Sequence, residues 1–326
     1  MAITETIPHI IDAQQFTRSW MEDELFPHAQ SLARIGKYSL GNGSLKGKSV
    51  ALIFYEPSTR TRFSFQVAAL NLGADVAVTE NAGEFSSAIK GETLADSIRT
   101  YNALNFDAIV LRSPYEGGAR DAAEVSGVPI INAGDGKGQH PTQALLDLYT
   151  MKEHFGQIDG LRVALIGDLK NSRTHRSTAY LLARFKNITI DFVSPPQFQM
   201  RQDMLDYLDR HNVQYNISNR LIDVSETADV VCLTRLQTER MKTLKVLPKK
   251  IRQFAIRNLL HGGDVCLSDE VMEKLPDSSI IMHVLPRSKD FGELPEKYDQ
   301  DQRVVPFKQV EHGVSIRMAL LEMLLA

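Results

Sequence analysis

The sequence predicts an α/β fold with two doubly wound parallel-sheet domains joined by helices. Two observations predict it: short apolar runs alternate with helical patterns, and this alternation restarts after one long leucine-rich segment. Alternating strands and helices favour parallel sheets covered by helices on both faces. We therefore place one domain at residues 1–145 and a second at 146–305, and expect a final helix, 306–326, to pack on the first.

The first half of the chain contains four apolar runs that are typical of strands. The run SVALIF (49–54) is apolar almost throughout, as expected for a strand that is buried on both faces. After it, Phe63, Val67 and Leu70 recur at helical spacing, and Gly73 marks the predicted end of the helix. The predicted strands are 49–54, 75–78, 107–111 and 128–132, and the predicted helices are one from Thr61 onward, 92–104 and 141–155.

The second half repeats the same alternation. Apolar runs such as LRVALI are again short enough for strands, and amphipathic segments follow them. The predicted strands are 161–166, 188–193, 229–234 and 280–284, and the predicted helices are 177–185, 204–210 and 314–325.

Composition excludes several classes of protein. The formal net charge is −3, which argues against nucleic acid or a membrane surface as a partner. The two cysteines, Cys232 and Cys266, lie far apart in sequence, so neither a disulfide scaffold nor a structural zinc site is expected. No run approaches the ~20 apolar residues of a spanning helix, and the first residues do not resemble a signal peptide. We therefore predict a protein of the reducing cytoplasm.

The segment FYEPSTRTRFSF (54–65) is the strongest functional signal. It joins a predicted strand to a helix through hydroxyl side chains. A helix N-terminus offers unpaired N–H groups and the positive end of the helix dipole, which together attract anions. Ser58, Thr59 and Thr61 add hydroxyl donors and Arg60 adds a guanidinium group. The segment predicts a phosphate site without a Walker A motif; the alternative is a helix cap beside surface arginines.

Four arginines follow predicted strands. They are Arg60, Arg112, Arg173 and Arg235. Ligands of parallel α/β sheets bind at the carboxyl ends of the strands, so four cations at such positions indicate a polyanionic substrate set, although any one alone is best explained as a surface charge. The loop after residue 166 has one glycine where a dinucleotide loop needs three, which argues against NAD.

Two further loops carry candidate residues. In DGKGQHPTQ (135–143), His140 and Gln143 lie three residues apart, so both can project from the first turn of the long helix. A histidine there can donate to a carbonyl oxygen; the alternative is a capping histidine, and no metal ligand set accompanies it. Ser86 and Lys90 lie in a polar loop that local sequence alone would assign to an ordinary surface loop.

Together these motifs resemble those of the aspartate carbamoyltransferase family. The segment at 54–65 is similar to the carbamoyl-phosphate signature, which ornithine carbamoyltransferases share. Other segments favour the aspartate enzymes: SAIKGETLADSI, LRSPYEGGAR, NAGDGKGQHPTQALLDLYT, GDLKNSRT and TRLQTER. The run HVLPR at 283–287 also lacks the cysteine of the corresponding ornithine-enzyme loop. The resemblance covers nearly the whole chain.

The resemblance implies a reaction: carbamoyl phosphate and L-aspartate give N-carbamoyl-L-aspartate and phosphate, an early step of pyrimidine synthesis. It also implies a homotrimer with active sites shared between subunits, no cofactor and no metal, and it leaves open whether separate regulatory chains bind. For carbamoyl phosphate, the resemblance implies that the phosphate is bound by Ser58, Thr59, Arg60 and Thr61, that the carbonyl is polarised by Thr61, Arg112 and His140, and that the nitrogen contacts Gln143. For aspartate, it implies binding by Arg173, Arg235, Gln237 and the Leu285 carbonyl. It also implies that Ser86 and Lys90 contribute to the site of a neighbouring subunit.

Two departures from the family pattern bear on the aspartate half. The family usually reads HPLPR, and Val284 replaces the first proline here. From the resemblance we expect a cis bond between Leu285 and Pro286. Residues 241–267 match poorly and are rich in Lys and Arg. Two alternatives therefore remain at this stage: a carbamoyltransferase for another amino acid, against which TRLQTER argues, and a non-catalytic homologue, against which the intact site residues argue.

Overall fold

The computed structural model describes residues 8–33, 43–85, 87–235, 265–288 and 292–326. The chain divides into two compact units. The first comprises Met1–Thr150 and Val310–Ala326, and the second comprises Met151–Gln309. Two α/β units with parallel sheets confirm the predicted fold class.

A four-stranded parallel sheet forms the centre of the first unit. Its strand order is β2-β1-β3-β4, so the buried β1 and β3 are the inner strands. Almost every side chain of β1, β3 and β4 is buried, which explains why their apolar runs were recognisable in the sequence. The strands are β1 (Ser49–Phe54), β2 (Asp75–Glu80), β3 (Ala108–Ser113) and β4 (Ile130–Asp135).

Six helices of the described chain begin within the first unit, and α6 contains its boundary at residue 150. A π-helical turn, Trp20–Leu25, leads into α1, and a 3-10 turn, Ser87–Lys90, follows α3. The helices are α1 (Phe26–Ala33), α2 (Thr59–Asn71), α3 (Ala82–Phe85), α4 (Leu94–Ala103), α5 (Gly118–Val125) and α6 (Pro141–Phe155).

The apolar stripe that predicted α2 faces outward. Phe63, Val67 and Leu70 are 48%, 42% and 55% exposed, whereas Phe65 and Ala68 are fully buried. The helix therefore packs on its unit through small residues and one phenylalanine. Three large apolar side chains on one helix thus remain accessible to solvent in the single chain.

A five-stranded parallel sheet forms the centre of the second unit. Its strand order is β7-β6-β5-β8-β9. At its centre the Arg162 guanidinium donates to Asp191 on the neighbouring strand at 2.6 and 3.1 Å, which satisfies a carboxylate that is 1% exposed. The strands are β5 (Arg162–Ile166), β6 (Thr189–Val193), β7 (Gln214–Ser218), β8 (Val230–Leu233) and β9 (Ile280–His283).

Five further α-helices are found in the described part of the second half of the chain. They are α7 (Arg173–Leu182), α8 (Gln202–Arg210), α9 (Ile222–Ser225), α10 (Asp269–Lys274) and α11 (Pro306–Leu325). The last part of α11 belongs to the first unit, where Arg317 Nη1 donates to the Ser64 hydroxyl on α2 at 2.7 Å. Within the described residues, no helix combines the length and the apolar character that crossing a membrane requires.

The predicted start of α7 was wrong by four residues. The helix begins at Arg173 rather than at Ser177. Its first turn is made of polar residues that are buried, so the periodicity of apolar side chains gave no signal there.

Candidate active site

Helix α2 follows the buried strand β1 after a short loop of residues 55–58, and Ser58 is its N-cap residue. Ser58 has an extended backbone, φ −156° and ψ 102°. In the part of the chain that the structure describes, its hydroxyl caps none of the helix amides; it accepts a 2.9 Å hydrogen bond from Arg112 Nη1. Thr61 is buried, Arg60 is half-buried and Thr59 is exposed. The first turn of α2 thus presents backbone amides and hydroxyls together, as an anion site requires.

Arg112 is the penultimate residue of β3, not the first loop residue after a strand as the sequence predicted. It lies opposite Phe54, the last residue of β1, and its carbonyl accepts from the Tyr55 amide at 3.0 Å. Its guanidinium also lies 3.5 Å from the Glu56 carboxylate. Adjacent parallel strands therefore place the Arg112 guanidinium at the N-terminus of α2.

His140 immediately precedes α6 and is almost completely buried. Its carbonyl accepts from the amides of Gln143 and Ala144, so it fills the cap position of that helix. The loop before it is held by Asp135, whose carboxylate accepts from the amides of Gly117 at 2.9 Å and Gln139 at 2.5 Å. These bonds fix the histidine at the carboxyl end of β4, beside β3.

Gly136 makes this loop possible. Its φ is +48°, and a Cβ atom there would lie 2.7 Å from the backbone nitrogen of Glu116. Both the positive φ and the close approach require glycine.

Gln143 lies in the first turn of α6, as predicted. Its Nε2 group donates to Asp147 Oδ1 at 2.9 Å, one turn further along the helix. Asp147 is 3% exposed. This bond fixes the orientation of the Gln143 carboxamide, whose nitrogen donates to Asp147 and whose oxygen is a hydrogen-bond acceptor. Sequence reasoning missed Asp147, although its i+4 spacing from Gln143 was a usable signal.

The loop predicted to reach a neighbouring subunit is described only in part. Lys90 ends a 3-10 turn and is exposed. Ser86 lies outside the described residues.

In the second unit, Arg173 is the first residue of α7. The Ser172 hydroxyl caps this helix by accepting from the His175 amide at 3.2 Å. Arg173 therefore combines its own charge with the positive end of a helix dipole, which favours a bound anion. Only 9% of Arg173 is exposed.

Arg235 lies two residues after the end of β8. The residue between them, Thr234, packs closely on Gly167, the first residue after β5. Thr234 donates its amide to Ile166 at 2.9 Å. A Cβ atom on Gly167 would lie 2.1 Å from the Thr234 carbonyl oxygen, and the glycine φ is +114°. Glycine is therefore required for the two strand ends to approach. Arg235 is half-buried, and Gln237 lies outside the described residues.

The turn after β9 contains Leu285, whose φ is +53°. The bond between Leu285 and Pro286 is cis, which confirms the expectation. The Leu285 amide donates to His283 Nδ1 at 2.7 Å. Val284 donates its amide to the Leu233 carbonyl at 3.3 Å, a bond that the proline of the usual family pattern could not make.

Two buried groups of this region went unrecognised in the sequence. Burial lowers the pKa of His175 to about 3, and its Nε2 group donates to the Cys232 carbonyl at 3.1 Å. Glu293 is buried and lies 3.0 Å from His283 Nε2. The partner of His175 lies 57 residues away in sequence, and the partners of Glu293 lie ten and five residues before it at no regular helix or strand spacing, so neither group stood out in the sequence.

The fold and the position of the cationic residues define a class of protein: an α/β enzyme that handles small anions at the carboxyl ends of two parallel sheets. Residues 8–153 match the family model for the aspartate/ornithine carbamoyltransferase carbamoyl-P binding domain, and residues 159–324 match the model for its Asp/Orn binding domain. The chain is thus matched over nearly its whole length.

Individual relatives agree with the family models. The chain is 45% identical to aspartate carbamoyltransferase 3, chloroplastic, of Pisum sativum, over 97% of this chain and 77% of the relative. It is 41% identical to the aspartate carbamoyltransferase catalytic subunit of Methanothermobacter thermautotrophicus, over 98% and 96%. The structure of Trypanosoma cruzi aspartate transcarbamoylase with carbamoyl phosphate and aspartate superposes with a TM-score of 0.87 at 36% identity, over 98% and 97%.

The chain belongs to the aspartate/ornithine carbamoyltransferase family of transferases, and its relatives place it among the aspartate carbamoyltransferases. The resemblance inferred from its motifs is confirmed.

Proposed function

We propose that this chain transfers the carbamoyl group of carbamoyl phosphate to the amino group of L-aspartate, the transfer after which its relatives are named, and that it thereby performs an early step of pyrimidine synthesis. The observation that carries the proposal is the placement of Ser58, Arg112 and His140 at the carboxyl ends of β1, β3 and β4, which neighbour one another in one sheet. Carbamoyl phosphate binds to the first unit and aspartate to the second.

The first turn of α2 binds the phosphate group. Its backbone amides, the hydroxyls of Ser58, Thr59 and Thr61 and the charge of Arg60 all favour a dianion at this position. Arg60 also stabilises the charge that builds on the departing phosphate. This assignment gives a reason for the hydrogen bond from Arg112 to Ser58. The bond holds the Arg112 guanidinium and the Ser58 hydroxyl on the same side of the helix terminus, where both can donate to the phosphate.

The carbamoyl carbonyl is polarised by Thr61, Arg112 and His140. Negative charge develops on this oxygen as the amine attacks, and donors fixed in advance stabilise it. Burial of Thr61 and His140 strengthens this effect because a water-poor site screens charges less. A single donor of this kind is typically worth ~3 kcal/mol, roughly a hundredfold in rate.

Gln143 selects the carbamoyl nitrogen. Since its Nε2 group already donates to Asp147, its oxygen is the atom that accepts from the carbamoyl NH₂ group. An acyl phosphate without that NH₂ group would leave this acceptor unsatisfied.

Aspartate binds through its two carboxylates and its amine. Arg173 at the start of α7 takes the α-carboxylate, and Arg235 with Gln237 takes the side-chain carboxylate. The Leu285 carbonyl accepts from the amino group and directs its lone pair. The charges match a dicarboxylate, whereas ornithine carries a cation in its side chain.

The chemistry needs only positioning and charge stabilisation. The amine forms a C–N bond to the carbonyl carbon, and the C–O bond to phosphate breaks. The proton lost by the amine passes to the leaving phosphate. Correct alignment of two bound reactants can supply about 7–11 kcal/mol of barrier reduction.

The active form is proposed to be a cytoplasmic homotrimer in which Ser86 and Lys90 complete a neighbouring subunit's site. The exposed apolar stripe of α2 supports assembly with further copies. The proposal is tested by mixing inactive Lys90→Ala and Arg60→Ala chains. Recovery of part of the activity supports shared sites, whereas no recovery after confirmed subunit exchange contradicts them. Regulatory chains would appear as further partners of this assembly in cell extracts.

The function itself is tested by binding as well as turnover. Calorimetry with carbamoyl phosphate should show one site per chain, and aspartate should bind much more tightly once carbamoyl phosphate is present. Arg112→Ala should abolish the first binding event. Aspartate binding without any carbamoyl-phosphate binding would contradict the proposal.

A further inference from the structure

A buried acid–histidine pair lies behind the turn that carries the Leu285 carbonyl. The Nε2 atom of His283 and Oε1 of Glu293 are 3.0 Å apart, and both side chains are 0% exposed. Two ionisable groups in such a position cost free energy to desolvate unless their hydrogen bonds are made. Their partners therefore indicate what the pair does.

The pair holds both ends of the turn. At the first end, the Leu285 amide donates to His283 Nδ1 at 2.7 Å. At the other end, the Ser288 amide donates to Glu293 Oε1 at 2.9 Å. One continuous chain of hydrogen bonds thus runs from one turn amide, through the imidazole and the carboxylate, to the second turn amide.

These contacts fix the tautomer of His283. Its Nδ1 atom accepts from an amide, so it carries no proton, and the ring proton is on Nε2, directed at Glu293. The Glu293 oxygen accepts from two donors, as a carboxylate can. The His283 backbone is itself held, because its amide donates to Gln309 Oε1 at 3.2 Å.

We propose that His283 and Glu293 are positioning residues that hold the turn of residues 285–288 and thereby aim the Leu285 carbonyl at the substrate amine. Leu285 has φ +53°, a conformation that a leucine adopts only when its surroundings impose it. The pair supplies that constraint from the interior. This inference rests on the proposed function, since it assigns a purpose to the carbonyl that binds the aspartate amine.

Matched variants separate positioning from folding. Glu293→Gln keeps an oxygen that can accept both bonds and removes the charge, whereas Glu293→Ala removes both bonds. His283→Asn keeps an acceptor near the Nδ1 position and breaks the link to Glu293. We expect Glu293→Gln to stay within about threefold of the natural chain, and Glu293→Ala to lower kcat about tenfold to a hundredfold.

The KM for aspartate should change little in Glu293→Ala, because Arg173 and Arg235 still hold both carboxylates. Loss of amine alignment acts on the transition state and so lowers kcat. If Glu293→Gln lost as much kcat as Glu293→Ala, the hydrogen bonds of Glu293 would not be what positions the turn, and the proposal would be contradicted.

Amide hydrogen exchange provides a readout that does not depend on activity. In Glu293→Ala the Leu285 and Ser288 amides should exchange at least about tenfold faster, while the Thr234 amide, which donates to Ile166 in the same sheet, should not change. Equal acceleration of all three amides would mean general destabilisation and overturn the inference. Faster exchange of the turn amides with unchanged kcat would overturn the positioning role. If the natural chain makes no carbamoyl aspartate, the proposed function fails, whereas the exchange data still decide whether the pair holds the turn.

Discussion

Arg112 Nη1 donates a 2.9 Å hydrogen bond to the Ser58 hydroxyl and thereby joins the end of β3 to the N-terminus of α2. The bond brings together two features that favour a bound anion, a guanidinium and the amides of a helix start. The Ser58 hydroxyl is thus held by Arg112 rather than by an amide of its own helix.

Replacement of these two residues should show that they act together. Arg112→Lys keeps a charge but loses the planar fork, and we expect turnover to fall about a hundredfold. Ser58→Ala removes the acceptor that orients Arg112 and should cost about tenfold. In a double-mutant cycle, kcat/KM for carbamoyl phosphate is measured for both single variants and the double variant. The fold-loss of the double variant should be smaller than the product of the two single fold-losses. Full additivity would show that the bond does not orient the guanidinium.

Arg60→Ala should lose most turnover while the chain stays folded and assembled. The residue lies in the first turn of α2, and the proposed function assigns it the stabilisation of the leaving phosphate. Arg99→Ala is a matched control, since Arg99 is an exposed helix arginine paired with Asp96. Steady-state kinetics should show a loss of about a hundredfold or more for Arg60→Ala and none for the control. Near-normal turnover of Arg60→Ala would remove its assigned role.

Gly167→Ala should destabilise the second unit and weaken aspartate binding. The new Cβ atom would meet the Thr234 carbonyl oxygen at 2.1 Å, and the positive φ adds about 1–2 kcal/mol. Gly156→Ala is the control, because that glycine also has a positive φ, +74°, but nothing lies within 4 Å of its Cβ position. Thermal unfolding should show a clearly larger loss for Gly167→Ala. Equal losses would mean that the close approach to Thr234 is unimportant.

His175 should make the chain less stable in mild acid. Burial lowers its pKa from 6.5 to about 3 in the folded chain. Between these pH values the unfolded chain binds a proton that the folded chain does not. The free energy of unfolding therefore decreases as the pH is lowered, by up to about 1.4 kcal/mol per pH unit. Above pH 6.5 the histidine is neutral in both states and contributes no slope.

His175→Gln tests this origin of the acid sensitivity. Glutamine keeps a donor for the Cys232 carbonyl and cannot titrate. Denaturant unfolding between pH 7 and 4 should therefore show a shallower pH dependence for this variant than for the natural chain. His211→Gln, the same substitution at an exposed position, is measured in parallel as a control for the exchange itself. An unchanged slope in His175→Gln would place the acid sensitivity elsewhere.

The elements predicted from sequence are those whose burial leaves an apolar pattern. Strand β1 and helix α6 have the predicted bounds, because one is apolar almost throughout and the other begins with a proline and is rich in leucine. Strand β7 was missed because it is an edge strand with mostly exposed polar residues. The buried face of α2, which contains Phe65, was also missed. The larger apolar stripe of this helix is exposed, so the apolar pattern indicated the wrong face.

The candidate site divides in the same way. Strand-end arginines and the polar start of α2 could be predicted, because topology brings the carboxyl ends of parallel strands to one edge. The Glu293–His283 pair could not, since nothing local distinguishes a buried glutamate from a surface one. Its meaning depends on bonds to Leu285 and Ser288 that only the folded chain makes.

The most direct test of the account is carbamoyl-aspartate formation by the purified chain, with ornithine run in parallel as the alternative acceptor. Turnover with aspartate and none with ornithine is the predicted result, and it would also show that Val284 is compatible with activity. Turnover with ornithine, or with neither acceptor although carbamoyl phosphate binds, would contradict the proposed function.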